Sequence, residues 1–185
     1  MRLFIAVNFP DSVRAAIRNA IETFPVHDPP WRWAAPATWH VTLKFLGETS
    51  PDQLDRVVSG LDAVRARHTA FDVALGKFGA FPNLRAPRVL FYDVERGAEN
   101  LQRLAHDVDL ALEGAIGLPP ETRPFHAHAT IARVKEPLPA ALAQRLARVP
   151  PLTHPVHRVS SFDLMESRLA RTGAEYSVVK EFALA

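Results

Sequence analysis

Two short stretches of the chain share a pattern that constrains its fold more than any other feature of the sequence. Residues 40–43 read His-Val-Thr-Leu and residues 128–131 read His-Ala-Thr-Ile. Both stretches are rich in β-branched and aliphatic residues, so each is predicted to be a β-strand. Because side chains alternate between the two faces of a strand, the histidine and the threonine of each stretch are expected to point the same way. The fold is therefore expected to hold an imidazole beside a hydroxyl at two places.

Chance accounts poorly for this repeat. The chain has 8 histidines and nine threonines among its 185 residues, and random placement gives about 0.4 His-x-Thr matches. Either motif alone is also compatible with a structural role, in which the threonine is an ordinary β-branched strand residue and the histidine lies at the mouth of the strand. Two matches in the same local context favour a shared functional role.

The residues around the motifs extend this pattern into a family resemblance. The segments concerned are 2–7, 39–47, 78–82, 87–90, 130–135 and 173–176. In composition and order they resemble the two-histidine (2H) phosphoesterases, in particular the bacterial and archaeal RNA 2',3'-cyclic phosphodiesterases once described as 2'-5' RNA ligases. The likeness spans nearly the whole chain.

The resemblance implies an α+β fold with two lobes related by a pseudo-twofold axis. In such a fold, antiparallel sheets are backed by helices and the two motif strands face each other across a central cleft. We expect residues 1–185 to form one domain, because no linker or low-complexity tract divides them. His40 and His128 lie about half a chain length apart, which fits an internally duplicated architecture.

The resemblance also implies a reaction. It predicts metal-independent hydrolysis of RNA 2',3'-cyclic phosphate ends to 2'-phosphates without a cofactor, with His40 as proton donor and His128 as proton acceptor. Thr42 and Thr130 are then expected to donate hydrogen bonds to the non-bridging phosphate oxygens, where charge builds during attack. The residues themselves agree with acid–base catalysis, since imidazole titrates near pH 6.5, but they do not distinguish donor from acceptor. A 2'-5' RNA ligase and an RNA-end-binding relative without catalysis remain alternatives.

Two cationic side chains near the motifs are candidates for phosphate binding. Strand alternation places Lys44 on the same face as His40, although it also lies close enough to the strand end to be solvated. Arg133 matches an arginine that often follows the second motif of the family. Strict alternation turns Arg133 away from His128 unless the strand twists or bulges.

Aromatic residues near the cleft are candidates for stacking on a base. Phe81, Phe125 and Tyr176 are the residues considered, with Tyr176 and Phe81 as the predicted substrate contacts. Each of them is also a plausible core residue, because large aromatic side chains are mostly buried.

A metal-dependent phosphodiesterase is a further alternative. His126 and His128 form a His-x-His pair on one predicted strand face, and His40, His154 or His157 are candidates for a third ligand. No carboxylate accompanies either motif in the sequence, and this scheme gives the threonines no role. His126 and the alanine after it stand where the family commonly has a proline before the motif histidine, so the role of His126 stays open.

The composition agrees with a soluble enzyme. The chain has no cysteine, which excludes disulfides and thiolate chemistry, and its formal net charge of +2 does not indicate unselective nucleic-acid binding. No stretch approaches the roughly 20 apolar residues of a membrane span. We therefore expect a cytoplasmic monomer with RNA ends as its partner and no membrane association.

Hydrophobic periodicity predicts the remaining elements. Strands are predicted at about 3–7, 31–35, 38–46, 71–81, 88–94, 156–166 and 175–182, besides the second motif strand. Helices are predicted after residues 8–12, over 51–67 with a cap at 50–52, over 98–112, and shortly after Pro137. Pro25 and residues 28–30 are expected to end the first helix, and residues 114–124 are predicted to form a loop.

Overall fold

The computed structural model describes residues 1–24, 26–27, 29–154, 156–170 and 173–185. Strands and helices alternate along the first two thirds of the chain. The strands are β1 Arg2–Asn8, β2 Trp31–Trp33, β3 His40–Glu48, β4 Phe71–Phe81, β5 Val89–Arg96, β6 His128–Val134, β7 His157–Val159, β8 Ser161–Ala170 and β9 Gly173–Ala183. The helices are α1 Asp11–Glu22, α2 Pro51–Arg65, α3 Ala98–Ile116 and α4 Ala140–Leu146, and a short 3-10 turn spans Pro36–Thr38.

The described strands form one curled sheet with the order β7-β4-β5-β6-β3-β1-β8-β9, to which β2 is added through β6. Neighbouring strands pair antiparallel throughout. The order is symmetric about the junction of β6 and β3, the two motif strands. We call β3, β1, β8 and β9 the first lobe, and β6, β5, β4 and β7 the second lobe. The two-lobed, pseudo-twofold α+β fold is therefore confirmed.

The connections repeat as well, but the outer strands are exchanged between the halves of the chain. The first lobe contains β1–α1–β3 and the second contains β5–α3–β6. After β3, α2 leads into β4 of the second lobe. After β7, the single residue Ser160 leads into β8 of the first lobe. Each lobe is thus completed by strands from the other part of the chain.

One face of the sheet carries the helices and the main core. Buried apolar side chains from both lobes form one contiguous cluster, whose fully buried members include Ile5, Val57, Leu104, Ile131 and Phe162. A small cluster of Phe4, Ala6 and Met165 lies apart from this core, with Tyr176 packed on it. Burial of apolar surface on one face leaves the other face of the sheet for the cleft.

The curling brings the two edges of the sheet together at one end. There, the backbone N–H of Ala185 donates to the carbonyl of His68 over 2.9 Å, and the N–H of Ala70 donates to the carbonyl of Ala185 over 3.3 Å. Ser160 links β7 to β8 at the same end. The lobes are therefore joined at this end, which is the end where both motif strands begin.

Most predicted elements are confirmed. The hairpins β4–β5 and β8–β9 pair as expected. Ser50 caps α2 through a capping box, in which its Oγ accepts from the backbone of Gln53. The loop predicted at 114–124 was wrong at its start, because α3 continues to Ile116 and ends at Gly117 with a positive φ of 69°. Pro25 and residue 28, which were expected to help end the first helix, are outside the residues that the structure describes.

No helix of the described segments is both long and apolar enough to cross a membrane.

Candidate active site

Both His-x-Thr motifs open onto one cleft between the lobes. The motif strands β3 and β6 pair at a single register position, Val41 opposite Ala129, and these two side chains are buried on the core face. The residues on either side of each therefore point to the opposite face, which is the cleft. The four motif side chains, His40, Thr42, His128 and Thr130, all line one cavity of about 490 Å³.

A bulge in β3 decides where Lys44 lies. Thr42 pairs with Ala6 and Lys44 with the adjacent Ile5, so Leu43 is an extra residue in this strand. An extra residue reverses the alternation that follows it. Lys44 is consequently turned to the helix face and Phe45 to the cleft. The predicted placement of Lys44 on the His40 face is therefore wrong.

The buried ammonium of Lys44 is fully engaged by its surroundings. Only 2% of its side chain is exposed, and its Nζ lies 2.9 Å from Asp109 of α3 and 3.4 Å from Glu121. It also donates to the carbonyl of Pro119 over 3.0 Å. Lys44 thus fastens the segment after α3 to the sheet, and its geometry offers no support for phosphate binding.

A matching bulge in β6 brings Arg133 into the cleft. Phe91 pairs with Thr130 and the adjacent Leu90 pairs with Ala132, so Ile131 is the extra residue. Arg133 is exposed and lines the same cavity as the motif residues. The sequence analysis placed Arg133 beside His128 only if this strand twisted or bulged, and the structure contains the bulge.

The two bulges also reveal a residue that the sequence analysis missed. Phe45 occupies in β3 the place that Arg133 occupies in β6, three positions after the motif threonine. It is 62% exposed and lines the cleft. Strict alternation had hidden it, because it assigned Phe45 to the core face.

Each motif histidine is oriented by the carbonyl group two residues before it. His128 Nδ1 lies 2.6 Å from the carbonyl oxygen of His126, and His40 is bonded to the backbone of Thr38. Nδ1 therefore carries the proton in both rings, and each Nε2 is left for the cleft. His40 Nε2 lies 3.0 Å from Thr42 Oγ1, whose hydroxyl can donate to it.

Burial lowers the pKa of both histidines. The pKa of His40 falls to about 4, chiefly by desolvation, while the bond to Thr38 opposes the shift and the charges of His128 and Arg14 add to it. The pKa of His128 is also lowered, again chiefly by desolvation, against the opposing bond to His126. Both imidazoles are therefore neutral at neutral pH while the cleft is empty.

Aromatic rings fix the position of both imidazoles. Phe4 and Tyr176 lie 5.1 Å and 5.5 Å from the ring centre of His40. Phe81 and Phe91 lie 5.0 Å and 5.2 Å from that of His128. Phe4 and Phe91 are buried supports, whereas Tyr176 and Phe81 also line the cleft. Phe125 lines a neighbouring groove instead.

The histidine before the second motif contributes one hydrogen bond through its backbone carbonyl and another through its side chain. The carbonyl of His126 holds His128, and its ring Nε2 lies 2.5 Å from Asp93 of β5. Asp93 and His128 are register partners in the sheet, so the hydrogen bond between His126 and Asp93 borders the motif histidine. Asp93 lies 33 residues upstream of His126, so no local pattern could have predicted the pair.

Gly79 leaves the space that the ring of Phe91 occupies. A Cβ at this position would lie 2.6 Å from Phe91 Cε2, which is too close for two non-bonded carbon atoms. Phe91 is held on its other sides by Phe81, at a centroid distance of 4.3 Å, and by His128. The glycine is therefore needed for the packing that supports the second motif histidine.

Gly79→Ala is expected to lower kcat by about 10–100-fold, because the displaced Phe91 ring pushes His128 out of position. The measurement is kcat on a 2',3'-cyclic phosphate, together with the free energy of unfolding. Gly114→Ala on α3 is the matched control, since its Cβ would meet nothing within 4 Å. Unchanged kcat in Gly79→Ala would show that Phe91 does not position His128.

Within the residues that the structure describes, no three His, Asp or Glu side chains are grouped so as to hold a metal ion. The arrangement consists instead of two neutral imidazoles and two hydroxyls facing one cavity, with Arg133 at its border. Such a set can move protons and stabilise charge on phosphate oxygens.

The profile of the family described as LigT like Phosphoesterase matches this chain twice in succession, over residues 7–91 and 93–176. Each match contains one His-x-Thr motif. The chain therefore belongs to the LigT-like phosphoesterases, a family of 2H phosphoesterases.

Particular members of the family match over most of their length. The chain is 35% identical to an RNA 2',3'-cyclic phosphodiesterase of Thermus thermophilus, covering 100% of this chain and 90% of that protein. It is 32% identical to one of Aquifex aeolicus, covering 83% of this chain and 81% of that protein.

Solved structures agree with the sequence matches. The crystal structure of TT0787 of Thermus thermophilus superimposes with a TM-score of 0.81 at 34% identity, covering 100% of this chain and 98% of that one. E. coli LigT complexed with 3'-AMP gives a TM-score of 0.80 at 28% identity, covering 99% and 97%.

Proposed function

We propose that this protein is an RNA 2',3'-cyclic phosphodiesterase that hydrolyses the cyclic phosphate to a 2'-phosphate without a metal ion. The observation that carries the proposal is the convergence of His40, Thr42, His128 and Thr130 on one cavity. The relatives named RNA 2',3'-cyclic phosphodiesterase support the substrate class. The nucleotide in the related E. coli structure supports a nucleotide-sized occupant of the cleft.

In the proposed reaction, water attacks the phosphorus atom and the bond to the ribose 3'-oxygen breaks. His128 Nε2 accepts the proton of the attacking water, since its Nδ1 is occupied by the carbonyl of His126. His40 gives its proton to the departing 3'-oxygen, and the product carries a 2'-phosphate. Thr42 and Thr130 donate hydrogen bonds to the non-bridging oxygens as their charge grows.

The neutral state of His40 in the empty cleft has a consequence for the proposed donor role. The donor must carry a second proton, yet burial has lowered its pKa to about 4. An anionic phosphate within a few ångströms favours the charged imidazolium and raises this pKa. The substrate itself is therefore proposed to bring His40 into its protonated state.

His40 is accordingly expected to be neutral at about pH 6 in the free protein and protonated when an RNA 2'-phosphate is bound. The ¹⁵N chemical shifts of its imidazole, followed by NMR titration with and without the product, measure this change. His27, which is exposed, serves as the internal reference. A free-protein pKa near 6.5 for His40, or no rise on binding, would contradict the expectation.

The remaining cleft residues suit substrate binding. Arg133 is proposed to neutralise the phosphate, and Tyr176, Phe81 and Phe45 are proposed to stack on the terminal base. Lys44, in contrast, has its ammonium committed to Asp109. A monomer in the cytoplasm remains our proposal for the state of the protein.

The direct test is hydrolysis of an RNA with a 2',3'-cyclic phosphate end in the presence of EDTA, with the product resolved as 2'- or 3'-phosphate. We expect complete activity in EDTA and only the 2'-phosphate. Loss of activity in EDTA, with recovery on adding a divalent cation, would favour the metal-dependent alternative. A 3'-phosphate product would reverse the assignment of the leaving oxygen.

A further inference from the structure

A groove leads away from the candidate active site along α3. It has a volume of about 810 Å³ and shares four lining residues with the cleft, namely Thr42, Phe45, Phe81 and His128. At its far end, Gln102 and His106 of α3 also line a third cavity of about 650 Å³. We call these two adjoining cavities, lined by α3 residues 100–109 and by residues 121–126, the α3 groove. Residues 100–109 span about 14 Å along the axis of α3, at 1.5 Å per residue of helix.

The charges along the α3 groove favour an anionic occupant. The lining contains five Lys or Arg residues and three acidic residues, Asp107, Asp109 and Glu121. Each of these carboxylates is already in an ion pair, with Lys44 for Asp109 and Glu121 and with Arg67 for Asp107. Cations therefore exceed anions by two in the groove, as much as the +2 excess of the whole chain.

Three guanidinium groups stand out along this groove. Arg88, Arg103 and Arg123 are exposed, and none of them forms an ion pair with a carboxylate of the described residues. Arg88 donates one hydrogen bond to the carbonyl of Lys135, which leaves its other N–H groups available. Unpaired guanidinium groups at intervals along a groove suit a chain of phosphates.

The same groove offers surfaces for bases. Phe45 lies exposed at its mouth, and Phe125 and Pro124 line its wall. Non-specific binding of single strands combines a positive groove with aromatic faces on which bases stack. A single cyclic nucleotide needs only the cleft, so the length of the α3 groove is unexplained by the reacting end alone.

We propose that the α3 groove binds the single-stranded RNA segment on the 5' side of the reacting end, so that the preferred substrates are oligoribonucleotides rather than cyclic mononucleotides. This inference rests on the proposed function, because it assumes that the cyclic phosphate occupies the cleft. Phosphates contact Arg123 first and Arg103 farther along, and the bases near the cleft stack on Phe45 and Phe125.

The test compares kcat/KM for a 2',3'-cyclic mononucleotide with that for di-, tetra- and octaribonucleotides carrying the same end. For the wild-type protein, we expect kcat/KM to rise with length. Arg103→Glu and Arg123→Glu should each lower kcat/KM for the octanucleotide by about tenfold and flatten its salt dependence, with mononucleotide cleavage unchanged. Arg18→Glu makes the same charge change on α1, outside all three cavities, and should leave both substrates unaffected.

Several outcomes would overturn the inference. These are equal kcat/KM at all lengths, equal losses on mononucleotide and octanucleotide in the groove variants, or an equal loss in Arg18→Glu. If wild type cleaves none of these substrates, the proposed function fails instead. Binding of a fluorescent 2'-phosphorylated octanucleotide then decides on the groove, since weaker binding in Arg103→Glu supports it and unchanged binding refutes it.

Discussion

His128→Ala is expected to lower kcat on an RNA 2',3'-cyclic phosphate by about 10²–10⁴-fold, because it removes the group proposed to take the proton from the attacking water. His40→Ala should lower kcat by a similar factor, because it removes the group proposed to protonate the leaving 3'-oxygen. Since the two imidazoles act in one step, the double variant should lose little more than either single variant. Thr42→Ala and Thr130→Ala should cost less, about 10²–10³-fold each.

Single-turnover assays on folded protein measure these losses, with circular dichroism spectra to verify the fold. His27→Ala is the matched control, because His27 is exposed and lines none of the three cavities. Near-wild-type turnover in His128→Ala would refute the acid–base scheme. Multiplicative losses in the double variant would mean that the two histidines contribute independently to the rate instead of acting as a unit.

Lys44→Met is expected to produce the largest loss of stability, about 2–4 kcal/mol, because it leaves Asp109 beside the core without its counter-ion. Asp109 is only 16% exposed and therefore poorly solvated by water. The double variant Lys44→Met/Asp109→Leu should recover most of this loss, since removing both members of a buried pair is far cheaper than removing one.

Urea denaturation measures the loss, and the activity of the remaining folded protein distinguishes the two roles considered for Lys44. Turnover within about threefold of wild type is expected, because the ammonium faces α3 rather than the phosphate. Unchanged stability together with a large loss of kcat/KM would contradict this and would restore a phosphate-binding role. Lys180→Met is a useful comparison, because Lys180 pairs with Asp62 over 2.8 Å where both side chains are 38% exposed.

The sequence was sufficient for most of the elements and for the motif residues, for a physical reason, although the strand predicted over 156–166 is two strands, β7 and β8, in different lobes. Apolar periodicity reports which face of a strand or helix is buried, and His40, Thr42, His128 and Thr130 obey it. In the two motif strands, alternation failed just beyond each threonine, where one extra residue enters the strand. The pattern of apolar residues does not mark such a bulge, because Leu43 and Ile131 are suitable for either face.

The parts of the candidate site that escaped prediction depend on contacts between residues far apart in the chain. Asp93 meets His126 only because β5 and β6 are neighbours in the sheet. Gly79 matters only because the ring of Phe91 lies over it on the adjacent strand. Neither relation has a local sequence signal, since strand order and register are set by the fold as a whole.

The closed end of the curled sheet has a mechanical consequence for the cleft. Ser160 and the bonds of Ala185 join the lobes where the motif strands begin, whereas the ends of β4 and β9 that carry Phe81 and Gly173 border the cleft at its other end. The junction of the two lobes therefore lies close to His40 and His128, and Phe81 and Gly173 lie farther from it. We therefore expect any change in the width of the cleft to be larger at Phe81 and Gly173 than between the two imidazoles, so that the proposed RNA substrate can be accommodated without realigning the proton-transferring groups.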